Sequence, residues 1–302
     1  MTKRGWILFG AMGLIWGIPY LLIKIAVGEL HPATLVLVRT AIGALLLIPI
    51  AAARGSLSPL RPYWKPILLF AAVEVALPWV LLADAERRIP SSLTGLLLAT
   101  VPFIGAVLAR FTGSDERLGT RRLVGLLVGL VGVAALLKLD VAVRDLGAVG
   151  EVGLVALGYA IGPMIIARRL AGVPSIGVIA ASLGLTALVY VPLGLSQLPA
   201  TLPSLRVIVA VTILGVVCTA LAFLLFFRLI AEVGPVRATV ITYINPAVAL
   251  VFGITILSEP FTIGAGIGFI LILVGSFLAT RRGAPRPVSA VLSSVPAAQH
   301  GR

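Results

Sequence analysis

Apolar runs of about 20 residues follow one another along almost the whole chain, and each is long enough, as a helix, to cross roughly 30 Å of hydrocarbon. Ten can be placed, at 6–24, 32–53, 64–84, 90–111, 120–138, 147–169, 174–194, 206–229, 236–257 and 261–281. Most connections are short, so nearly the whole protein lies in or beside a membrane. No water is available there, and a helix satisfies its own backbone N–H and C=O groups segment by segment. The expected fold class is therefore an all-α polytopic membrane protein with ten transmembrane helices. Composition agrees: 60% of the 302 residues are hydrophobic and 12% charged, more apolar surface than a soluble core needs.

Lys and Arg set an expected direction, because they accumulate on the cytoplasmic side of short loops. With the N-terminus inside, the inward segments hold 17 of the 24 Lys and Arg residues, the outward segments hold six, and Arg39 lies within a span. Both termini are thus expected in the cytoplasm, with the chain in a bacterial inner (plasma) membrane. The net charge of +13 does not point to nucleic acid, since the basic residues form short clusters and no continuous face. Lys3-Arg4 ahead of the run from Trp6 to Ile23 looks like the start of a signal peptide. That run is too long, contains Pro19 and lacks a small-x-small cleavage pattern, so it reads as an uncleaved first span. A single cysteine, Cys218, permits no intrachain disulfide or thiolate metal site, and His31 and His300 alone exclude most histidine clusters. No metal and no cofactor are expected.

The stretch 89–136 is loosely repeated at 233–279. Ile89-Pro90-Ser91 answers Val233-Gly234-Pro235, Val101-Pro102-Phe103 answers Asn245-Pro246-Ala247, and Asp115-Glu116-Arg117-Leu118-Gly119 answers Ser258-Glu259-Pro260-Phe261-Thr262. Gly125 and Gly132 then answer Gly268 and Gly275, and Pro49 answers Pro192. Five spans per half is an odd number, so the second half must insert upside down relative to the first. The expected organisation is two inverted five-helix repeats, 1–143 and 144–282, followed by a Pro-, Ala- and Ser-rich cytoplasmic tail, 283–302, expected to be disordered.

Ile15-Trp16-Gly17-Ile18-Pro19-Tyr20 with Lys24 a turn later, and Pro32 followed by Arg39, resemble the opening of EamA-type members of the drug/metabolite transporter superfamily. The two short polar breaks resemble that family's doubled Gly-Glu-x-Leu-Thr loop, with Asp115 where Gly is frequent. The resemblance covers about 6–138 and 147–281. It implies a ten-helix inner-membrane transporter, commonly an exporter of amino acids or other small metabolites.

Among residues that might carry transport, Glu74 stands at the centre of the third span as the only acidic residue read well inside any span. A lone carboxylate in hydrocarbon faces a cavity, a partner or a proton path, and burial disfavours its charged form, which suits proton coupling or a cationic ligand. Its repeat counterpart is Cys218. Arg39 lies roughly 10 Å and Glu74 roughly 15 Å from the outer side, close enough in depth for long side chains to pair. Arg39 nevertheless reads better as a structural charge, snorkelling or binding helix carbonyls; its counterpart is Ala181. Trp16 and Tyr20 share a face of the first span, with Pro19 bending the helix between them. With Trp79, Thr100, Tyr159, Phe223, Tyr243 and Asn245, they are the expected lining of a substrate cavity near the midplane. Pro19, Pro78, Pro102, Pro163 and Pro246 mark expected bends, with Pro102 and Pro246 as paired points for gating. Gly13-x-x-x-Gly17, Gly125-x-x-x-Gly129 and Gly158-x-x-x-Gly162 read as close-packing motifs.

No catalytic constellation is present: there is no G-x-S-x-G, H-E-x-x-H or phosphate loop. The expected function is secondary transport of amino acids or related amines, with export favoured. The competing readings are a broad drug or metabolite exporter and a membrane-embedded enzyme for lipid-linked substrates. The enzyme would have to use Asp84, Glu86, Arg87 and Arg88, which read as a loop. Expected partners are the lipid bilayer, the substrate and, as a candidate coupling ion, a proton. The chain is expected as a monomer or a homodimer.

Overall fold

The computed structural model describes residues 2–111, 120–140, 142, 145–233, 238, 241–242 and 244–280. Among them there are helices and turns and no strand. Lys3–Gly17 (α1) and Pro19–Ala26 (α2) form the first span, and Pro32–Ala53 (α3) the second. The third rises through a 3-10 turn Ser58–Tyr63, Trp64–Phe70 (α4), a π turn Ala71–Ala76 and Leu77–Arg88 (α5). Ser91–Leu98 (α6), Val101–Phe111 (α7), Thr120–Asp140 (α8), Leu146–Arg169 (α9) and Ser175–Ser196 (α10) follow. Leu205–Gly215 (α11), a second π turn Val216–Leu221 and Ala222–Val233 (α12) repeat the plan of the third span. Asn245–Leu257 (α13) and Ile263–Thr280 (α14) complete the described chain. Seven helical stretches are long and apolar enough to cross a membrane, and three shorter ones, Leu123–Ala135, Asn245–Leu257 and Ile263–Gly275, lie where the fifth, ninth and tenth spans were placed. The protein is an all-α polytopic membrane protein.

Contacts between turns show how the helices alternate. At the N-terminal end Thr2 bonds Glu232, and Gly5 lies against Val233. At the far end Thr34 reaches the carbonyls of Gly194 and Gln197, Arg88 pairs with Glu151, and Lys24 reaches Glu86 and Ile89. Glu29 also meets Ser204 there, accepting from its N–H and its hydroxyl, each at 2.6 Å. Those bonds, the hydroxyl's first, hold the Glu29 carboxyl below its ordinary range. The contact is expected to survive as pH falls through the usual carboxylate range and to break only below it. Hydrogen exchange at the Ser204 amide, corrected for the intrinsic rate, is the measurement; acceleration within the usual range would contradict it.

Three helix pairs join matching members of the two halves: α3 packs on α10, α6 on α13 and α8 on α14. In addition α5 packs on α9, while α11 and α12 pack on α2 and α1. Exchanging the halves leaves this pattern unchanged. The three glycine motifs serve it directly. Gly13 and Gly17 admit Ile244 and Val248, Gly125 and Gly129 lie against Gly275, and Gly158 and Gly162 lie against the first π turn. The fifth–tenth contact is thus made within one molecule. Large apolar side chains point away from the bundle, Leu45 at 74% and Leu188 at 69% exposed, as faces turned to lipid rather than water require.

Prolines divide into two groups. Pro19, Pro102 and Pro246 each sit in the first turn of a helix that follows a break, where the missing N–H removes no helical bond, while Pro78 directly follows the π turn within the continuous stretch Ser58–Arg88. Pro163 lies inside α9, which runs unbroken, as do α3 across Pro49 and α10 across Pro192. The Asp115–Gly119 break, Gly234-Pro235, Tyr243 and the 283–302 tail lie outside the described residues.

Candidate functional site

The two π turns face the centre of the bundle. An extra residue per turn disrupts the regular ladder, and such turns concentrate at functional sites. A hydroxyl satisfies a carbonyl at each: Tyr190 on α10 donates to the Ala76 carbonyl at 3.0 Å, and Thr219 donates to the Leu214 carbonyl, five residues back, at 2.8 Å. Registering Ala71–Ala76 on Val216–Leu221 pairs Glu74 with Thr219. This register differs by one residue from the counterpart expected from sequence, Cys218.

Thr219 holds Arg39. The Arg39 Nε donates to the Thr219 hydroxyl at 3.0 Å, and the guanidinium carbon lies 3.7 Å from the centroid of the Trp79 ring. Arg39 is only 7% exposed. It therefore neither snorkels nor binds helix carbonyls as expected, but stacks inside the bundle. Among the described residues no carboxylate forms an ion pair with it, so the expected pairing with Glu74 is not made. Tyr159 is within electrostatic reach of Glu74, Arg39 and Tyr20, and hydrogen-bonds the Trp79 side chain. Glu74 Oε2 is enclosed and has no hydrogen-bond partner in the described structure. It lies against the backbone of Gly162, where any Cβ would collide with the carboxylate.

Tyr20, Arg39, Glu74, Trp79, Tyr159 and Thr219 are thus brought together. Trp16 is not part of this group, because the break before Pro19 turns it elsewhere. It packs on Phe226 at 4.7 Å and Phe223 at 5.9 Å between ring centroids, beside the central group and towards the N-terminal end. With its amide turned so that the nitrogen faces acceptors, Asn245 donates to the carbonyls of Ile241 and Gly13 at 3.0 and 3.1 Å, a structural use of the group. Thr100 bonds its own chain at the Leu97 carbonyl, 2.6 Å away, across the α6–α7 break.

The far end closes around residues that carried no functional reading in the sequence. Glu259 Oε1 accepts from the Ser91 N–H at 2.7 Å and the Ser91 hydroxyl at 3.0 Å, and Oε2 accepts from the Ser92 N–H at 2.9 Å. Lys24 donates to the carbonyls of Glu86 at 2.5 Å and Ile89 at 2.9 Å. Glu86 is fully buried, with neither carboxyl oxygen hydrogen-bonded in the described structure, so Glu74 is not alone among interior acids. Asp84, Glu86, Arg87 and Arg88 are the last turns of α5 rather than a loop, and Arg88 is engaged with Asp84 and Glu151. A pocket of about 290 Å³ opens beside Lys24, Glu29 and Arg206; neither Arg39 nor Glu74 lines it.

The model of the EamA-like transporter family matches residues 3–138 and again 152–281. The chain belongs to that family. This EamA-like chain is 28% identical to the "Uncharacterized inner membrane transporter YedA" of Escherichia coli (strain K12), over 82% of its own length and 81% of the relative's. It is 24% identical to the "Uncharacterized transporter YvbV" of Bacillus subtilis (strain 168), over 97% of both chains. A solved chain described only as "Crystal structure of protein" shares the fold, with a TM-score of 0.65 at 23% identity, over 93% of this chain and 98% of that one. The family model thus matches the EamA-like chain twice, once in each half.

Proposed function

We propose that the chain is a secondary transporter of a bacterial inner membrane, exporting amino acids or related amines by alternating access between two inverted five-helix halves. In this reading the chain spans the membrane ten times, and the Lys and Arg bias puts both termini in the cytoplasm and the far end outside. The substrate passes the central group of Tyr20, Arg39, Glu74, Trp79 and Tyr159. One observation carries the reading: Glu74, on the π turn of the third span, keeps a carboxyl oxygen enclosed and unpartnered. A carboxylate left without a partner in such an interior is expensive, and a proton or a substrate ammonium relieves it. The inverted arrangement gives the two sides equivalent access to a midplane site.

Glu74→Gln keeps shape and removes the titrating oxygen. In proteoliposomes loaded with radiolabelled amino acids and amines, it is expected to abolish or strongly slow flux, or to flatten its pH dependence. Wild-type kinetics from the variant at every pH would end the coupling role. Competition by chemically unrelated compounds would widen the substrate range to general metabolite or drug export.

A further inference from the structure

Among the described residues Arg39 is a buried cation without an ion pair. The residue is 7% exposed, and Glu86 is the one carboxylate within its electrostatic reach there, without coming to ion-pair distance. A charge removed from water in this way is strongly unfavourable unless compensated. Trp79 covers one face with its ring at 3.7 Å, a contact that attracts the cation without neutralising it. Thr219 takes Nε at 3.0 Å, and its own proton is committed to the Leu214 carbonyl, which fixes the hydroxyl's direction. The guanidinium is therefore held by one edge and one face. The edge formed by the two terminal nitrogens remains, with no hydrogen-bond partner among the described residues. That edge presents two parallel N–H donors, the geometry that takes a planar carboxylate end-on.

We propose that Arg39 is the subsite for the carboxylate of the transported molecule, with Trp79 and Thr219 as positioning residues. The inference rests on the transporter reading above and narrows it: amino acids are bound, and amines lacking a carboxylate are not. Glu74, on the other π turn and like Arg39 within electrostatic reach of Tyr159, remains for the ammonium group or a proton. The two-fold plan of the fold is broken here chemically: one π turn carries an acid, and its partner carries the hydroxyl that orients a base.

The test measures binding to the full chain in bilayer nanodiscs, using the protein amino acids and the amine made from each by loss of the carboxyl group. Carboxylate-bearing members are expected to bind. Arg39→Gln should weaken the tightest of them by about 10- to 100-fold, the range for loss of charged hydrogen bonds. Arg39→Lys keeps the charge but loses the fork, and should not restore it. Thr219→Val, which leaves Arg39 in place, should also weaken amino acids, while Thr219→Ser should retain wild-type affinity. That pair decides the matter if Arg39→Gln fails to fold. The proposal is overturned if an amine binds as tightly as its parent amino acid, if no carboxylate binds, or if Thr219→Val leaves affinity unchanged. Arg39-dependent binding without flux in proteoliposomes would keep the subsite and sink the transporter reading. Flux of amines alone, indifferent to Arg39→Gln, would do the reverse.

Discussion

Glu259→Ala is expected to open the far end of the bundle. The carboxylate caps α6 by accepting the backbone N–H groups of Ser91 and Ser92 and the Ser91 hydroxyl. Those N–H groups belong to the first turn of a helix, where no intrahelical acceptor exists, and the negative charge complements the helix dipole. The chain is aimed there by its own turn. Ser258 adopts a left-handed conformation with φ of 55°, and the Glu259 N–H returns to the Gly253 carbonyl at 3.0 Å. Loss of an ordinary cap costs about 1 kcal/mol. Here Ser91 is fully buried, and each orphaned buried donor adds about 1–3 kcal/mol. Opening can be read by labelling Ser92→Cys with an impermeant maleimide, since Ser92 is 7% exposed and only its N–H is used by Glu259. The native Cys218 is 1% exposed and gives little background. Labelling should rise about tenfold or more in Glu259→Ala, an energy of roughly 1.4 kcal/mol or above, and less in Glu259→Gln. Equal labelling of a folded Glu259→Ala protein would show that this contact does not seal the far end.

Gly158→Ala should both destabilise the protein and disable transport, whereas Gly153→Ala on the same helix should do neither. A Cβ at Gly158 would collide with the Val73 carbonyl in the first π turn and lie 3.0 Å from the Pro78 ring. Backbone cannot swing aside as a side-chain tip can, so α9 must move off the turn that carries Glu74. Overpacking of this kind costs about 1–3 kcal/mol. At Gly153 there is nothing within 4 Å, and alanine gains up to about 1 kcal/mol of helix propensity. Thermal denaturation in one detergent and flux in one lipid mixture compare the pair. If both variants match wild type, the π turn is not held by α9.

Much of this architecture is written in short-range pattern. Apolar run length marks the spans, and small residues at four-residue spacing mark the close contacts, because both follow from helix geometry and hydrocarbon thickness alone. Proline is legible only in part. Pro19, Pro102 and Pro246 accompany breaks and Pro78 a π turn, yet Pro49, Pro163 and Pro192 sit in unbroken helices. Removing one helical bond need not interrupt a helix, and α9 is packed against α5 and the π turn.

The chemistry of the centre was harder to read. Glu74 stood out because an acid in an apolar run is anomalous by itself. Glu86 did not, because it lies near the end of its run beside Asp84, Arg87 and Arg88, and only the packed bundle shows that it faces inward. Arg39 was visible as a charge, but its partner Thr219 is 180 residues away, and threonine in a span is unremarkable in sequence. The π turns that bring these groups together leave no periodic signature, since a single extra residue per turn is chosen by tertiary contacts. Sequence by itself determined the membrane, the helices, their doubling and the family, all consequences of local apolarity and of repetition. Tertiary structure alone decided that Arg39 stacks on Trp79, that Glu259 closes α6, and that one Glu74 carboxyl oxygen has no partner among the described residues, because each depends on which distant helices share a face.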